Sequence, residues 1–186
     1  MPARSAVGEG RENLLLALFD SFGESGPSAD MSMRQIADRL GVHHTLLTYH
    51  FGSRAGLLAA VLAEARHKDN AVIAATDADL GFAALTAAIW AHYSHPDREA
   101  RVRAFFHVAG LAMYDIQAFS SYVSELDDLA EMLTSAARAD GKTALQARRL
   151  SISTVACLRG LLFQRVLADD PSEVDDAART FLRSLA

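Results

Sequence analysis

Apolar residues in this chain recur at spacings of three and four, and nowhere do they alternate with polar ones for long enough to form a strand. Leu14, Leu15, Leu18, Phe19 and Phe22 make one broad stripe if residues 10 to 24 are helical, with residues 1 to 9 as a loose leader. Composition points the same way. The 186 residues include 35 Ala and 24 Leu but only 15 Val and Ile together, so helix formers dominate over strand formers. With 51% hydrophobic and 22% charged residues the chain is neither disordered nor short of core material. The expected class is all-α.

Capping signals divide the pattern. Gly23 to Asp30 reads as a loop, and Ser32-Met33-Arg34-Gln35 as a capping box, with the Ser hydroxyl and the Gln amide each taking an orphan backbone N–H. The helix so opened buries Met33, Ile36, Ala37 and Leu40 and stops at Gly41, which tolerates the left-handed C′ conformation. A second short helix runs from about His44 to His50, and Ser53 caps a longer one reaching about Thr76. Further helices are expected near 80–95, 98–116, 119–139, 143–168 and 172–185, with Pro96, Gly141 and Pro171 at three of the breaks. Gly110 and Gly160 fall inside helical patterns and are expected to mark close helix–helix approaches, a break at Gly110 being the alternative.

Charge and special residues exclude some functions. A net charge of -5 rules out coating nucleic acid through bulk charge and leaves room for a local basic face. One Cys excludes a disulfide scaffold and a Cys-based zinc site, and fits a cytoplasmic protein. The longest stretch without Asp, Glu, Lys or Arg, Leu80 to Pro96, holds His92, Ser94 and His95 and reads as a buried helix, so no membrane is expected as a partner. No apolar segment precedes the first charges, which argues against a secretory signal. No nucleophile-elbow, phosphate-loop, zinc-protease or dinucleotide motif is present, and no cofactor is expected.

Residues 32 to 51 are two short helices joined by Gly41-Val42-His43, the pattern of a helix-turn-helix. In such a motif the first helix packs so that the second can project polar side chains into a major groove about 12 Å wide. Ile36, Ala37, Leu40, Val42, Leu47 and Phe51 supply the packing, and His44, Thr45, Thr48 and Tyr49 are left to face outward. Arg34, Arg39 and Arg54 against Asp38 make this segment locally basic in an acidic chain. An ordinary αα-corner can share the turn, so the pattern by itself leaves DNA binding as one of two readings.

The run from Gly41 to Leu58 resembles the signature of TetR-family transcriptional regulators. There a Gly-Val-Ser turn leads into a recognition helix ending Tyr-x-His-Phe, then Ser-Lys or Ser-Arg and Leu-Leu. Arg34-Gln35-Ile36-Ala37 is similar to the family's preceding helix. This chain departs in placing Thr48 where the family's Tyr stands, with Tyr49 beside it, and His43 where a Ser usually caps. The resemblance implies an N-terminal helix-turn-helix domain over residues 1–52, a connecting helix from Ser53 to about Thr76, and a larger ligand-binding and dimerisation domain over 77–186. It implies phosphate contacts by Ser32, Arg34, Tyr49, His50 and Arg54, with His44, Thr45 and Thr48 nearest the base edges. The protein expected from it is a homodimeric repressor, not an enzyme, that binds a palindromic double-stranded operator and is released by a small molecule. A helical interaction module or an enzyme without DNA binding is the alternative.

Residues 80 to 140 hold most of the remaining aromatics, as core or as the wall of a ligand pocket. Trp90, Tyr93, His107, Met113, Tyr114 and Gln164 mix apolar bodies with polar tips and are the candidate ligand residues, for a ligand of apolar or weakly polar character. His92 and His95 have a spacing that permits a metal, but no third ligand is fixed, and no metal is expected. The helix near 143–168 is apolar on most sides, so one face has to meet the core and another a partner chain. The resemblance implies that the last two helices form a four-helix dimer interface, with Leu158, Leu161, Leu162, Arg165, Phe181 and Leu185 as the expected contacts.

Overall fold

A computed structural model of the chain describes residues 5–22, 27, 31–76 and 81–185, with the side chains at 5–9, 74–76 and 121 outside that description. Among the described residues there are ten α-helices and no strand: α1 (Ser5–Phe22), α2 (Met33–Leu40), α3 (His44–Phe51), α4 (Arg54–Thr76), α5 (Phe82–Ser94), α6 (Glu99–Ala112), α7 (Ser120–Ser124), α8 (Asp128–Ala139), α9 (Ala144–Leu167) and α10 (Ser172–Arg183). The all-α expectation holds. α1 starts at Ser5, earlier than Gly8 and Gly10 suggested, since both are poor helix formers. The loop expected over residues 23–30 lies outside the described residues except for Pro27.

The helix expected over 98–116 ends at Ala112 and is followed by turns through Phe119. Gly110 does not break it, and neither Gly110 nor Gly160 is approached: a Cβ at either would meet nothing within 4 Å. By length and apolarity α9 could cross a membrane, but it carries Arg148, Arg149, Arg159 and Arg165 and is packed by α8 and α10 as a core helix is.

The chain divides into two compact units, residues 1–67 with 104–124 and residues 68–103 with 125–186. Residues 104–124, assigned to the C-terminal domain by the sequence reading, thus group with the N-terminal ones. In the first unit Leu14, Leu15 and Leu18 of α1 meet Ile36 and Ala37 of α2, Leu47 and Phe51 of α3, and Leu57 and Val61 of α4. Burying one such aliphatic side chain contributes about 1.5–3 kcal/mol. The fully buried Tyr122 donates its hydroxyl to the Phe105 carbonyl at 3.0 Å, and Arg66 lies 4.9 Å above its ring.

In the second unit α8 and α10 pack on α9, and α5 packs on all three. Thr143 and Gln146 form a reciprocal capping box at the start of α9, and Asp140 accepts from the Phe82 N–H at 2.7 Å where α5 begins. At the centre of a charged cluster is Asp69 of α4, 2% exposed. His92 of α5 donates to its Oδ1 from Nε2 at 3.0 Å, Arg101 of α6 makes a very short ion pair with the same oxygen, and Arg98 stands 3.7 Å away. Burial alone raises the Asp69 pKa; the hydrogen bonds from His92 and Arg101 and their charges outweigh it and hold the carboxyl below its usual value.

A carboxylate whose folded pKa is depressed stabilises the protein above its unfolded pKa, about 3.9, and loses that contribution as pH falls through the folded value. Asp69→Asn is therefore expected to lower the unfolding free energy at pH 7 by about 3 kcal/mol, the usual loss when one member of a buried pair is removed. In urea titrations the gap between the two proteins should stay constant from pH 7 to pH 5 and close below pH 4. A gap unchanged at pH 2 would show that the ionised carboxylate is not its source.

Candidate nucleic-acid interface

The second helix of the expected helix-turn-helix has only eight residues, too few to persist alone in water. What holds it is local. Ser32 accepts from the Gln35 N–H at 3.3 Å while the Gln35 Oε1 accepts from the Ser32 N–H at 2.8 Å, the reciprocal box expected at the start of α2. Gly41 ends α2 at φ 68°, in the left-handed region, and its neighbour Val42 donates back to the Ala37 carbonyl at 3.0 Å. His43, in place of a capping Ser, caps α3 itself: its Nδ1 accepts from the Thr45 backbone N–H at 3.4 Å and from the Thr45 hydroxyl at 2.7 Å. This arrangement requires the ring proton on Nε2.

Leu47 and Phe51 turn inward, 0% and 8% exposed, and set the rotation of α3. At about 100° per residue the opposite direction is that of Tyr49, with Thr45 and Leu46 on either side of it. Tyr49 is 70% exposed and Leu46 40%. Thr45 and Thr48 are exposed, and His44 and His50 half-buried. The sequence reading missed Leu46. In a Leu-Leu pair on so short a helix, only the packing reveals which one turns inward.

The phosphate candidates divide into two groups. Ser32, Arg34 and Tyr49 are exposed. His50 stands edge-on to Tyr49 with its ring against Gly10, where an added Cβ would lie 3.3 Å from Nε2. Arg54 is already engaged: partly buried, it donates from Nε to the Met31 carbonyl at 2.7 Å and so ties the start of α4 to the segment before α2. Ser53 caps α4, accepting from the Gly56 N–H at 3.1 Å. Gly56 carries a constraint the sequence reading did not see. A Cβ there would overlap the carbonyl oxygen of Phe51, so the chain passes from α3 to α4 only because this residue has no side chain.

A model of the N-terminal region of bacterial TetR-family regulatory proteins matches residues 14–61, the span from α1 through α3 into α4. Residues 14–61 thus carry the N-terminal domain of that family. Solved structures share its whole-length fold at low sequence identity. A transcriptional regulator from Rhodococcus sp. Rha1 is 18% identical, with 94% of each chain covered and a TM-score of 0.66. A candidate TetR-family transcriptional regulator from Rhodococcus sp. is 19% identical, with 96% of this chain and 97% of that one covered and a TM-score of 0.67. No curated protein matches in sequence. The protein is a transcriptional regulator whose DNA-binding helix-turn-helix is of the TetR type.

Outside that domain the candidate residues scatter. Trp90 is buried and Tyr93 half-buried on α5, but His107 and Gln164 are exposed, and Met113 and Tyr114 stand in solvent at 77% and 93% exposure because α6 ends before them. His92 pairs with Asp69, whereas the exposed His95 caps a single 3₁₀ turn by accepting from the Asp97 N–H at 3.3 Å. Of the expected dimer contacts, Leu158 and Leu162 are buried inside the protomer, Leu161, Phe181 and Leu185 are half-buried, and Arg165 pairs with Asp175 at 2.9 Å. Leu158 and Leu162 thus belong to the protomer's own core. A different strip of α9 is exposed.

Two alanine substitutions at glycine separate the special position from an ordinary one. Gly56→Ala is expected to cost about 1–3 kcal/mol of stability by forcing Phe51 and α4 apart. Gly110→Ala, in a helix with open space around the site, should be neutral or gain up to about 1 kcal/mol. Thermal unfolding of both variants checks the contrast; equal midpoints would refute the constraint at Gly56.

Proposed function

We propose that this protein is a homodimeric TetR-family repressor, acting in the cytoplasm, whose two α3 helices enter successive major-groove turns of a roughly palindromic operator. The observation that carries this reading is the orientation of α3, locked by Leu47 and Phe51 so that Thr45, Leu46 and Tyr49 face outward. Residues 1–52 read the DNA, and α4 connects them to the ligand-binding and dimerisation part. Ser32, Arg34, Tyr49 and His50 contact phosphates and fix the register; Thr45 and Thr48, with His44, lie nearest the base edges. Arg54 adds charge at this face while holding Met31.

The dimer reading rests on α9. Ile152, Ala156, Gly160, Phe163 and Leu167 recur at spacings of four, four, three and four, so they share one face, and all five are exposed. Ile152 and Phe163 are 47% exposed and Leu167 64%. A second copy of α9 covers this apolar face, and Gly160 lets the two backbones come close. A two-fold dimer sets its recognition helices about 34 Å apart.

Repression is relieved by an apolar or weakly polar small molecule held among the helices of the second unit, beside Trp90 and Tyr93. A ligand that favours a dimer with wrongly spaced recognition helices lowers operator affinity, and coupling of about 1–3 kcal/mol corresponds to roughly 5- to 150-fold. Linkage makes the effect reciprocal. Calorimetry on a ligand found by screening should show its affinity reduced by the same factor when operator is present. Equal affinity in both titrations would exclude that compound as an inducer.

The assembly and DNA claims are tested together. Phe163→Glu places an unpaired charge in the α9 face and should give monomers by light scattering, with operator affinity lost. Arg34→Ala should remain dimeric, weaken binding to all sequences, and reduce the slope of log affinity against log salt by about two, one phosphate contact per protomer. A dimeric Phe163→Glu variant would move the interface elsewhere; an unchanged salt slope would remove Arg34 from the phosphates.

A further inference from the structure

The outward face of α3 is short of the groups that read bases by paired hydrogen bonds. The helix sequence His44-Thr45-Leu46-Leu47-Thr48-Tyr49-His50-Phe51 contains no Arg, Lys, Asn, Gln, Asp or Glu. Those side chains make the bidentate contacts that distinguish guanine, adenine and cytosine in the major groove. Both threonine hydroxyls on this face are also occupied within the protein. Thr45 Oγ1 is bonded to His43 Nδ1 at 2.7 Å, and Thr48 Oγ1 donates to the His44 carbonyl at 3.1 Å. Each hydroxyl proton is thus committed, which leaves the threonines their γ-methyls and the acceptor lone pairs of the oxygens, and no donor. Across Tyr49 from Thr45 stands Leu46, an aliphatic side chain that is 40% exposed.

We infer that this regulator reads its operator chiefly through thymine C5-methyl groups, with Leu46 as the principal specificity-determining residue and the methyl of Thr45 as a second contact on the other side of Tyr49. Thymine is the one base that presents a methyl in the major groove, and apolar side chains recognise it by excluding water from the contact. The inference rests on the reading that α3 enters the major groove and adds to it what is read there. The half-sites it selects carry thymines at the positions facing Leu46 and Thr45. Arg34 and the other phosphate ligands set affinity without choosing sequence.

The test uses the full-length dimer and a duplex enriched from a random pool by binding to it. Each thymine of the half-sites is replaced in turn by deoxyuridine, which keeps every Watson–Crick and groove hydrogen-bonding group and removes only the methyl. At one or more positions per half-site, affinity measured by fluorescence anisotropy should fall about fourfold, the effect of losing one buried methyl contact. Deoxyuridine in the flanks should have no effect. Leu46→Ala, a change at an exposed position that leaves the core intact, should bind the thymine and deoxyuridine operators within about twofold of each other. If the enriched duplex binds equally well with every half-site thymine replaced, methyl reading is wrong while DNA binding stands. If Leu46→Ala discriminates as strongly as the unmodified protein, the assignment to Leu46 is wrong. If no duplex is enriched at all, the DNA-binding reading itself fails and this inference falls with it.

Discussion

An eight-residue helix that must present a fixed face to another molecule cannot be stabilised by its own hydrogen bonds, and the N-terminal half of this protein is organised around that constraint. Leu47 and Phe51 bind α3 to a core drawn from α1, α2 and α4. His43 accepts from the Thr45 N–H in its first turn, and the Gly52 N–H closes its last on the Thr48 carbonyl at 2.8 Å. At both ends the chain changes direction through glycine: Gly41 by its left-handed backbone, Gly56 by letting α4 pass close to Phe51. Because the inward face is so fully determined, the outward one is determined too, and a side chain of unexpected character there has meaning for recognition.

What could be read in the sequence was whatever depends on neighbours in sequence. The capping boxes at Ser32–Gln35 and Thr143–Gln146 are set by residues three apart, and the first was legible for that reason. So were the Gly41 stop, the apolar stripe of α1 and the inward pair Leu47 and Phe51, whose spacing of four matches the helix. His43 as a cap was harder to see, because imidazole takes this role less often than a hydroxyl or carboxylate.

What stayed illegible depends on contacts distant in sequence. Nothing local pairs Asp69 with Arg101, 32 residues on, and it took the fold to turn His92 from a conceivable metal ligand into a donor to that carboxylate. α9 carries apolar residues on nearly every side, so periodicity could not tell the core face, with Leu158 and Leu162, from the exposed face, with Ile152, Phe163 and Leu167. Met113 and Tyr114 looked like pocket residues only while α6 was expected to continue past them. The glycines show the same division. Gly56 looked ordinary and has no room for a side chain, whereas Gly110 and Gly160, expected at tight crossings, have open space around them.

In the proposed dimer, pairing of two exposed α9 faces sets the spacing of the two α3 helices. Hydroxyl-radical footprinting of the full-length protein on its enriched duplex measures that spacing on the DNA itself. The account predicts two protected blocks on each strand, related by a two-fold axis, with the half-site centres about one helical turn, roughly 34 Å, apart. A single protected block without a symmetry mate, or two blocks whose spacing is not close to whole helical turns, would contradict it.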